Sequence, residues 1–172
     1  AGTDNIDVVA ASSRGIPVAN CPGRNSLAVA ELAWGLILAC DRRIPDQVAD
    51  LRRGVWNKKE YGKAPGLAGR TLGIVGLGRI GEAIADRGNA FGMRVFAWSR
   101  NISEARAEAA GCHACENLKN LALMSDVVCV SIAANAETEK LIGQEFLDAM
   151  KPGATLVNTS RGSVVDQNAL VE

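Results

Sequence analysis

Arg161 stands at the end of an abrupt change of character, Ala154-Thr-Leu-Val-Asn158-Thr159-Ser160-Arg161-Gly162. The apolar part reads as a buried strand, and the polar part as its carboxyl end. In an open α/β sheet ligands bind outside the carboxyl ends of strands, so Arg161 falls where a ligand would lie. Its guanidinium is permanently charged and can grip a carboxylate or phosphate through two parallel hydrogen bonds. A second segment, Leu72-Gly-Ile-Val-Gly76-Leu-Gly78-Arg79-Ile80-Gly81, is an apolar strand, a GxGxxG turn and the start of a helix. Alone the glycine pattern is weak, but between a strand and a helix it signals a dinucleotide phosphate loop. There Gly76 permits the tight turn, Gly78 lets backbone approach a pyrophosphate, and Gly81 lets helix and strand pack closely. The amides near Arg79 and Ile80 lie at the helix N-terminus, where aligned dipoles favour an anion.

An NAD site of this kind carries an acid about 20 residues further on, to accept from the ribose 2′-hydroxyl. This chain has Trp98-Ser99-Arg100-Asn101 at that point. Ser99 offers no negative charge and Arg100 could pair with a 2′-phosphate, so the ribose pocket leans toward NADP over NAD.

These residues need a scaffold, and the surrounding pattern supplies one. Strand-like runs occur at Ile16 to Asn20, Thr71 to Val75, Arg94 to Ser99, Val127 to Ser131 and Ala154 to Val157. Helix-like stretches lie between them at Arg79 to Phe91, Ser103 to Ala110 and Gln144 to Met150. Strands alternating with helices predict a Rossmann-type, doubly wound parallel sheet in three layers, with right-handed crossovers. Before it, Ser26 is placed to cap a long helix from Leu27 to about Arg42. Pro45 then ends or kinks that helix, and a second runs from Asp46 to about Arg53. Residues 54–69 read as an exposed connector.

With 172 residues, 48% of them hydrophobic, the chain can bury one substantial core. Its 19 basic and 19 acidic side chains give no electrostatic pull toward nucleic acid or an anionic membrane. Leu27 to Cys40 is the most apolar run, yet it is too short to span a bilayer and contains Glu31. No signal peptide is visible. Five irregularly spaced cysteines point to a reduced, cytoplasmic setting. Cys112-His113-Ala114-Cys115 holds zinc-ligand types, but a structural zinc needs four ligands and the chain has no other histidine. These residues are therefore expected to be filler between a helix and a strand, with no metal role.

Taken together, the chain resembles the D-isomer-specific 2-hydroxyacid dehydrogenase family over essentially its whole length. Ala1-Gly-Thr-Asp-Asn-Ile-Asp7 is similar to the family's Gly-x-Asp-Asn-x-Asp segment, and Gly15 to Asn20 with Asn25 to Glu31 to its interdomain crossing. Asn158-Thr-Ser-Arg161-Gly162 with Asp166 resembles its most specific signature, and the first half looks nearest to phosphoglycerate dehydrogenases. The resemblance implies that Arg161 holds a substrate carboxylate and polarises the adjoining carbonyl. It implies that Thr159 and Ser160 line the nicotinamide, that Arg79 and Ile80 contact the pyrophosphate, and that Ser99 stands where NAD-using relatives carry aspartate. Ser131-Ile-Ala-Ala134 departs from the family's usual segment with His, Thr or Pro.

On this resemblance, residues 1–20 end a substrate domain, and residues 21–172 form a dinucleotide-binding domain truncated at its C-terminal end. The family's acid/base glutamate and histidine fall beyond Glu172, so the chain is expected to bind NADP or NAD without useful turnover alone. The expected reaction joins a small D-2-hydroxy acid and its 2-keto acid, of the phosphoglycerate, hydroxypyruvate or glyoxylate type. A dinucleotide-sensing corepressor of the C-terminal-binding-protein type shares the architecture and is the alternative. Formate oxidation on the same fold needs residues not seen here. Relatives commonly dimerise through the long apolar helix, which implies a homodimer.

Overall fold

A computed structural model describes residues 2–171; Ala1 and Glu172, the outer bounds of the two regions expected above, lie outside the described residues. Five strands, β1 (Thr71–Val75), β2 (Arg94–Trp98), β3 (His113–Ala114), β4 (Val127–Val130) and β5 (Thr155–Asn158), form one sheet. Every neighbouring pair is parallel, and the order is β3-β2-β1-β4-β5. The chain thus winds outward from β1 to β3, then returns to lay β4 on the other side of β1. That reversal opens a crevice at the carboxyl ends of β1 and β4, where α/β sheets bind ligands.

Period-two alternation divides the sheet's side chains between two cores. Leu72, Ile74, Val95, Ala97, Val127, Cys129 and Val157 face helices α2 (Ser26–Arg42), α5 (Arg79–Ala90) and α6 (Glu104–Ala109). Val75, Val128 and Val130 face α7 (Leu118–Met124) and α8 (Gln144–Ala149) on the opposite side. The architecture is therefore the three-layer, doubly wound α/β sheet that the pattern predicted. Helix α5 lies close to the sheet because its inner face is Gly81, Ala83, Ala85 and Gly88 around one large residue, Ile84. Trp34 of α2 stacks on Phe91 with centroids 4.6 Å apart and donates its indole N–H to the Ile84 carbonyl at 3.2 Å. At the amino edge, Asp126 accepts from the Thr71 amide at 2.8 Å and from Lys151 at 2.9 Å, pinning the starts of β1 and β4. Desolvation works to raise its pKa, but the amide and the ammonium win and hold the carboxyl below its usual range.

Several boundaries differ from the sequence reading. Ile16–Asn20 is irregular, not a strand: Pro17 cannot donate to a ladder, and the segment only carries the chain from α1 (Val8–Ser13) toward α2. The fifth strand is instead the two-residue edge β3, inside the Cys112–Cys115 segment. Helix α7 was also missed, although Asn117 caps it by accepting from the Asn120 amide at 2.8 Å. Ser26 is not a cap; it is the first, buried residue of α2, whose cap position is Asn25. Pro45 neither ends nor kinks α2. Arg43 ends it in a left-handed conformation, and Pro45 sits in the first turn of α3, which spans Ile44–Arg52. The 54–69 connector carries a short helix, α4 (Lys58–Tyr61), and buries Leu67. A last helix, α9 (Gln167–Val171), follows β5. Among the described residues no helix is long and apolar enough to cross a membrane.

Candidate functional site

Gly76 leaves β1 with φ +103°, a left-handed conformation that side chains rarely adopt. A Cβ there would also press on Ser131's carbonyl oxygen at 3.0 Å and on the Ile132 side chain. Gly81, in the first turn of α5, faces the Gly76 carbonyl so closely that an added methyl would collide with its oxygen. Gly78 differs: a Cβ would meet no protein atom within 4 Å, so the glycine keeps backbone open on the cleft side. Gly78 is the N-cap of α5 and provides no side-chain cap, so the orphan amides of the first turn are available to an anion. This glycine cradle fits a dinucleotide pyrophosphate. Arg79 adds a cation beside it; its side chain lies over Gly23 and makes no ion pair among the described residues.

Across the crevice, β5 delivers Thr159, Ser160 and Arg161. Thr159 stays tied to the sheet, its amide donating to Val130's carbonyl at 3.2 Å. Asn158 shapes the turn that follows. Its side-chain oxygen accepts from the Ser160 amide at 2.9 Å and the Ser160 hydroxyl at 2.8 Å, while its amide donates to Arg161's carbonyl at 2.9 Å. Arg161 then reaches a residue 157 positions earlier. Its Nε and Nη2 donate to the two carboxylate oxygens of Asp4 at 2.9 and 3.0 Å. That contact raises the arginine's pKa and holds the aspartate below the usual carboxylate range.

These groups share one cleft of ≈ 920 Å³, lined by Gly2 to Asn5, Pro22, Gly23, Asn25, Gly78 to Ile80, Ser131 to Ala134 and Thr159 to Arg161. Of the residues singled out from sequence, Gly78, Arg79, Ile80, Thr159, Ser160 and Arg161 are brought together on its walls. Gly76 and Gly81 are buried behind the wall and shape it. Ser99 and Arg100 follow β2 and do not line this cleft. Arg100 is ion-paired with Glu137 of the loop after β4. Because β1 separates β2 from β4, that pair bridges the carboxyl end of β1. Asp4, Asn25 and Asn158 were missed as site residues. Each lies in a segment that resembles the family, but only Asn158 also had a local physical signal, an amide side chain at a strand end.

His113 sits on β3 with its side chain 67% exposed and lies outside the cleft lining. Its neighbours are packed thiols: Cys112 donates to Ala107's carbonyl and Cys115 to Asn117's, each at 3.3 Å. Burial pushes the Cys112 thiol up to about 11. Among the described residues no group of three or more His, Cys, Asp or Glu could hold a metal.

Residues 34–172 match the family described as D-isomer specific 2-hydroxyacid dehydrogenase, NAD binding domain. The D-3-phosphoglycerate dehydrogenase of Methanocaldococcus jannaschii is 40% identical over 171 residues, an alignment covering 99% of this chain and 32% of that protein. The glyoxylate reductase of Thermococcus litoralis is 44% identical over 177 residues, covering 99% and 53%. The apo structure of Escherichia coli D-lactate dehydrogenase superposes with a TM-score of 0.87 at 32% identity, covering 99% of this chain and 53% of that one. The chain thus spans a third to about half of the length of these proteins.

Proposed function

The chain belongs to the D-isomer-specific 2-hydroxyacid dehydrogenase family, and on that premise we propose that it forms the cofactor half of an oxidoreductase joining a D-2-hydroxy acid to its 2-keto acid. The observation that carries this reading is that Arg161 lines the same cleft as the phosphate loop. When bound, the nicotinamide gives or takes the hydride. The part that falls to this chain is binding and orientation. The α5 amides and Arg79 hold the pyrophosphate. Thr159 and Ser160 line the nicotinamide end, and Arg161 fixes the substrate carboxylate and polarises the neighbouring carbonyl. Glyoxylate, hydroxypyruvate and 3-phosphohydroxypyruvate are the substrate class; the names of the relatives above support it for glyoxylate and for 3-phosphoglycerate.

Ser99 and Arg100 tilt the ribose site toward NADP over NAD, against the competition of Glu137 for the same guanidinium. Residues 1–20 are the end of the substrate domain, residues 21–172 belong to the dinucleotide-binding domain, and the active assembly is a homodimer. Five irregularly spaced cysteines fit a reducing, cytoplasmic compartment.

The cleft's proton chemistry is incomplete within these residues. Among the described residues its lining contains no histidine and one carboxylate, Asp4, which the Arg161 guanidinium holds below the usual carboxylate range and so makes a poor proton donor. A general acid/base contributes typically 10²- to 10⁴-fold, so these 172 residues alone bind cofactor and turn over slowly. The test is NAD(P)H oxidation by the full-length protein with glyoxylate or hydroxypyruvate, beside Arg161→Gln. Arg161→Gln should lower kcat/KM by about 10²-fold or more, the scale of losing a transition-state donor. Turnover that survives the substitution refutes the assignment of Arg161.

A further inference from the structure

Arg161 carries five N–H donors in a rigid plane, arranged as two forks that share Nη2. The side edge, Nε with Nη2, is filled by both oxygens of Asp4, at 2.9 and 3.0 Å. The end edge, Nη1 with Nη2, carries no carboxylate of the described residues; there Nη1 donates to Ser160's carbonyl at 3.2 Å. An arginine with 50% of its side chain exposed would otherwise sweep through many rotamers, and each would have to be surrendered when a ligand binds. One carboxylate on one fork removes that freedom while leaving the other fork usable.

The local sequence protects this contact. A Cβ on Gly2 would collide with Asp4's carboxylate and come within 3.2 Å of Arg161's Nη2. Glycine at position 2 is what allows the two groups to meet. Asp4 is itself placed by a turn in which Ile6's amide donates to Thr3's carbonyl at 3.0 Å, just before Asp7 caps α1. The aspartate thus comes from a segment outside the sheet, and the arginine from the end of β5.

We propose that Asp4 is a positioning residue for Arg161, holding the Nε–Nη2 edge of its guanidinium so that the Nη1–Nη2 edge receives the carboxylate of a 2-keto or 2-hydroxy acid. This rests on the reading of Arg161 as the carboxylate anchor. Electrostatics alone pull the other way, because removing Asp4 leaves a barer positive charge and should tighten any anion. Orientation and charge therefore predict opposite signs, which makes the inference testable.

The probe is oxalate, a dicarboxylate with the planar outline of a 2-keto acid, titrated calorimetrically into the protein saturated with NADH. Asp4→Asn should weaken oxalate binding by tenfold or more. Gly2→Ala, which keeps every charge but crowds the contact, should weaken it in the same direction. Asp4→Glu, which retains the carboxylate, should recover part of the loss, as a purely structural role would not. Far-UV circular dichroism identical to wild type establishes folding of each variant. Unchanged or tighter oxalate binding in Asp4→Asn overturns the proposal and makes Asp4 a bystander or a competitor. Arg161→Gln separates the two claims. If it loses oxalate while Asp4→Asn does not, the anchor stands and positioning fails; if it keeps oxalate, the anchor reading fails and positioning falls with it.

Discussion

Gly81 shows how tightly single residues set this cleft. A Cβ there would fall onto the Gly76 carbonyl oxygen, which also accepts from the Ser131 hydroxyl at 2.8 Å. A methyl at position 81 must lift α5 off the turn, and with it the first-turn amides proposed to hold a pyrophosphate. Gly81→Ala gains about 1 kcal/mol of helix propensity but pays for overpacking, typically about 1–3 kcal/mol. The expected net result is a lower urea midpoint and NADH affinity weakened about tenfold or more. Wild-type values of both would show that the close approach is irrelevant. Gly76, Gly78, Gly81 and Arg161 were legible in the sequence because each obeys a local rule: a positive φ, an open backbone, a close contact, a charge at a strand end. Asp4 was not legible as Arg161's partner. Nothing local to Asp4 announces a partner 157 positions away, and only the folded chain brings the two together.

Elements were legible where a strand is long and buried on both faces. Thr71–Val75 is buried throughout and matched the expected bounds, because a run of apolar residues between turn signals has few other homes. The two errors around the fifth strand have the same physical root. Ile16–Asn20 has strand composition but no partner strand, while His113–Ala114 has little strand character yet pairs with Phe96 and Ala97 at the sheet edge. Pairing decided both, and pairing is not local. The loops after β2 and β4 make a prediction at this scale. They meet through Arg100 and Glu137, both more than half exposed, so water screens the pair and a 2′-phosphate can compete for the guanidinium. Glu137→Gln should therefore shift the Kd ratio toward NADPH over NADH, by about 3- to 10-fold for one charge-assisted contact. On the proposed reading of the ribose site, Arg100→Ala should remove any preference for NADPH. Fluorescence titrations of the three proteins check this, and a ratio untouched by Arg100→Ala would mean that the ribose site lies elsewhere.

The whole molecule leaves one surface unexplained by its own core. Helix α2 buries Ala30, Ala33, Trp34 and Ile37 against α5 and the sheet, as a packed helix should. It also exposes Leu27, Leu32 and Leu36, at 62, 58 and 40%, on faces the described residues leave open. Past its C-terminal end, Val48, Leu51, Val55 and Trp56 line an apolar groove of ≈ 370 Å³, with Trp56 still 77% exposed. Single exposed leucines are ordinary, but large apolar side chains gathered along adjacent helices mark an interface. A second copy suits this surface: in a two-fold contact the same patch supplies both sides, so no complementary surface has to be found elsewhere. A stable pair buries about 1,200–2,000 Å² in total. Light scattering should therefore report twice the 18.0 kDa chain mass at micromolar concentration. Leu36→Glu with Leu51→Asp should return the mass to a single chain. Both positions are exposed in one protomer, so folding and NADH binding should survive the change, and the effect should fall on association alone. A wild-type protein that scatters as one chain would leave α2 and the groove without the role assigned to them. A double variant that stays paired would move the interface to another face, since two buried carboxylates per protomer, unpaired, cannot be carried through an apolar contact at low cost.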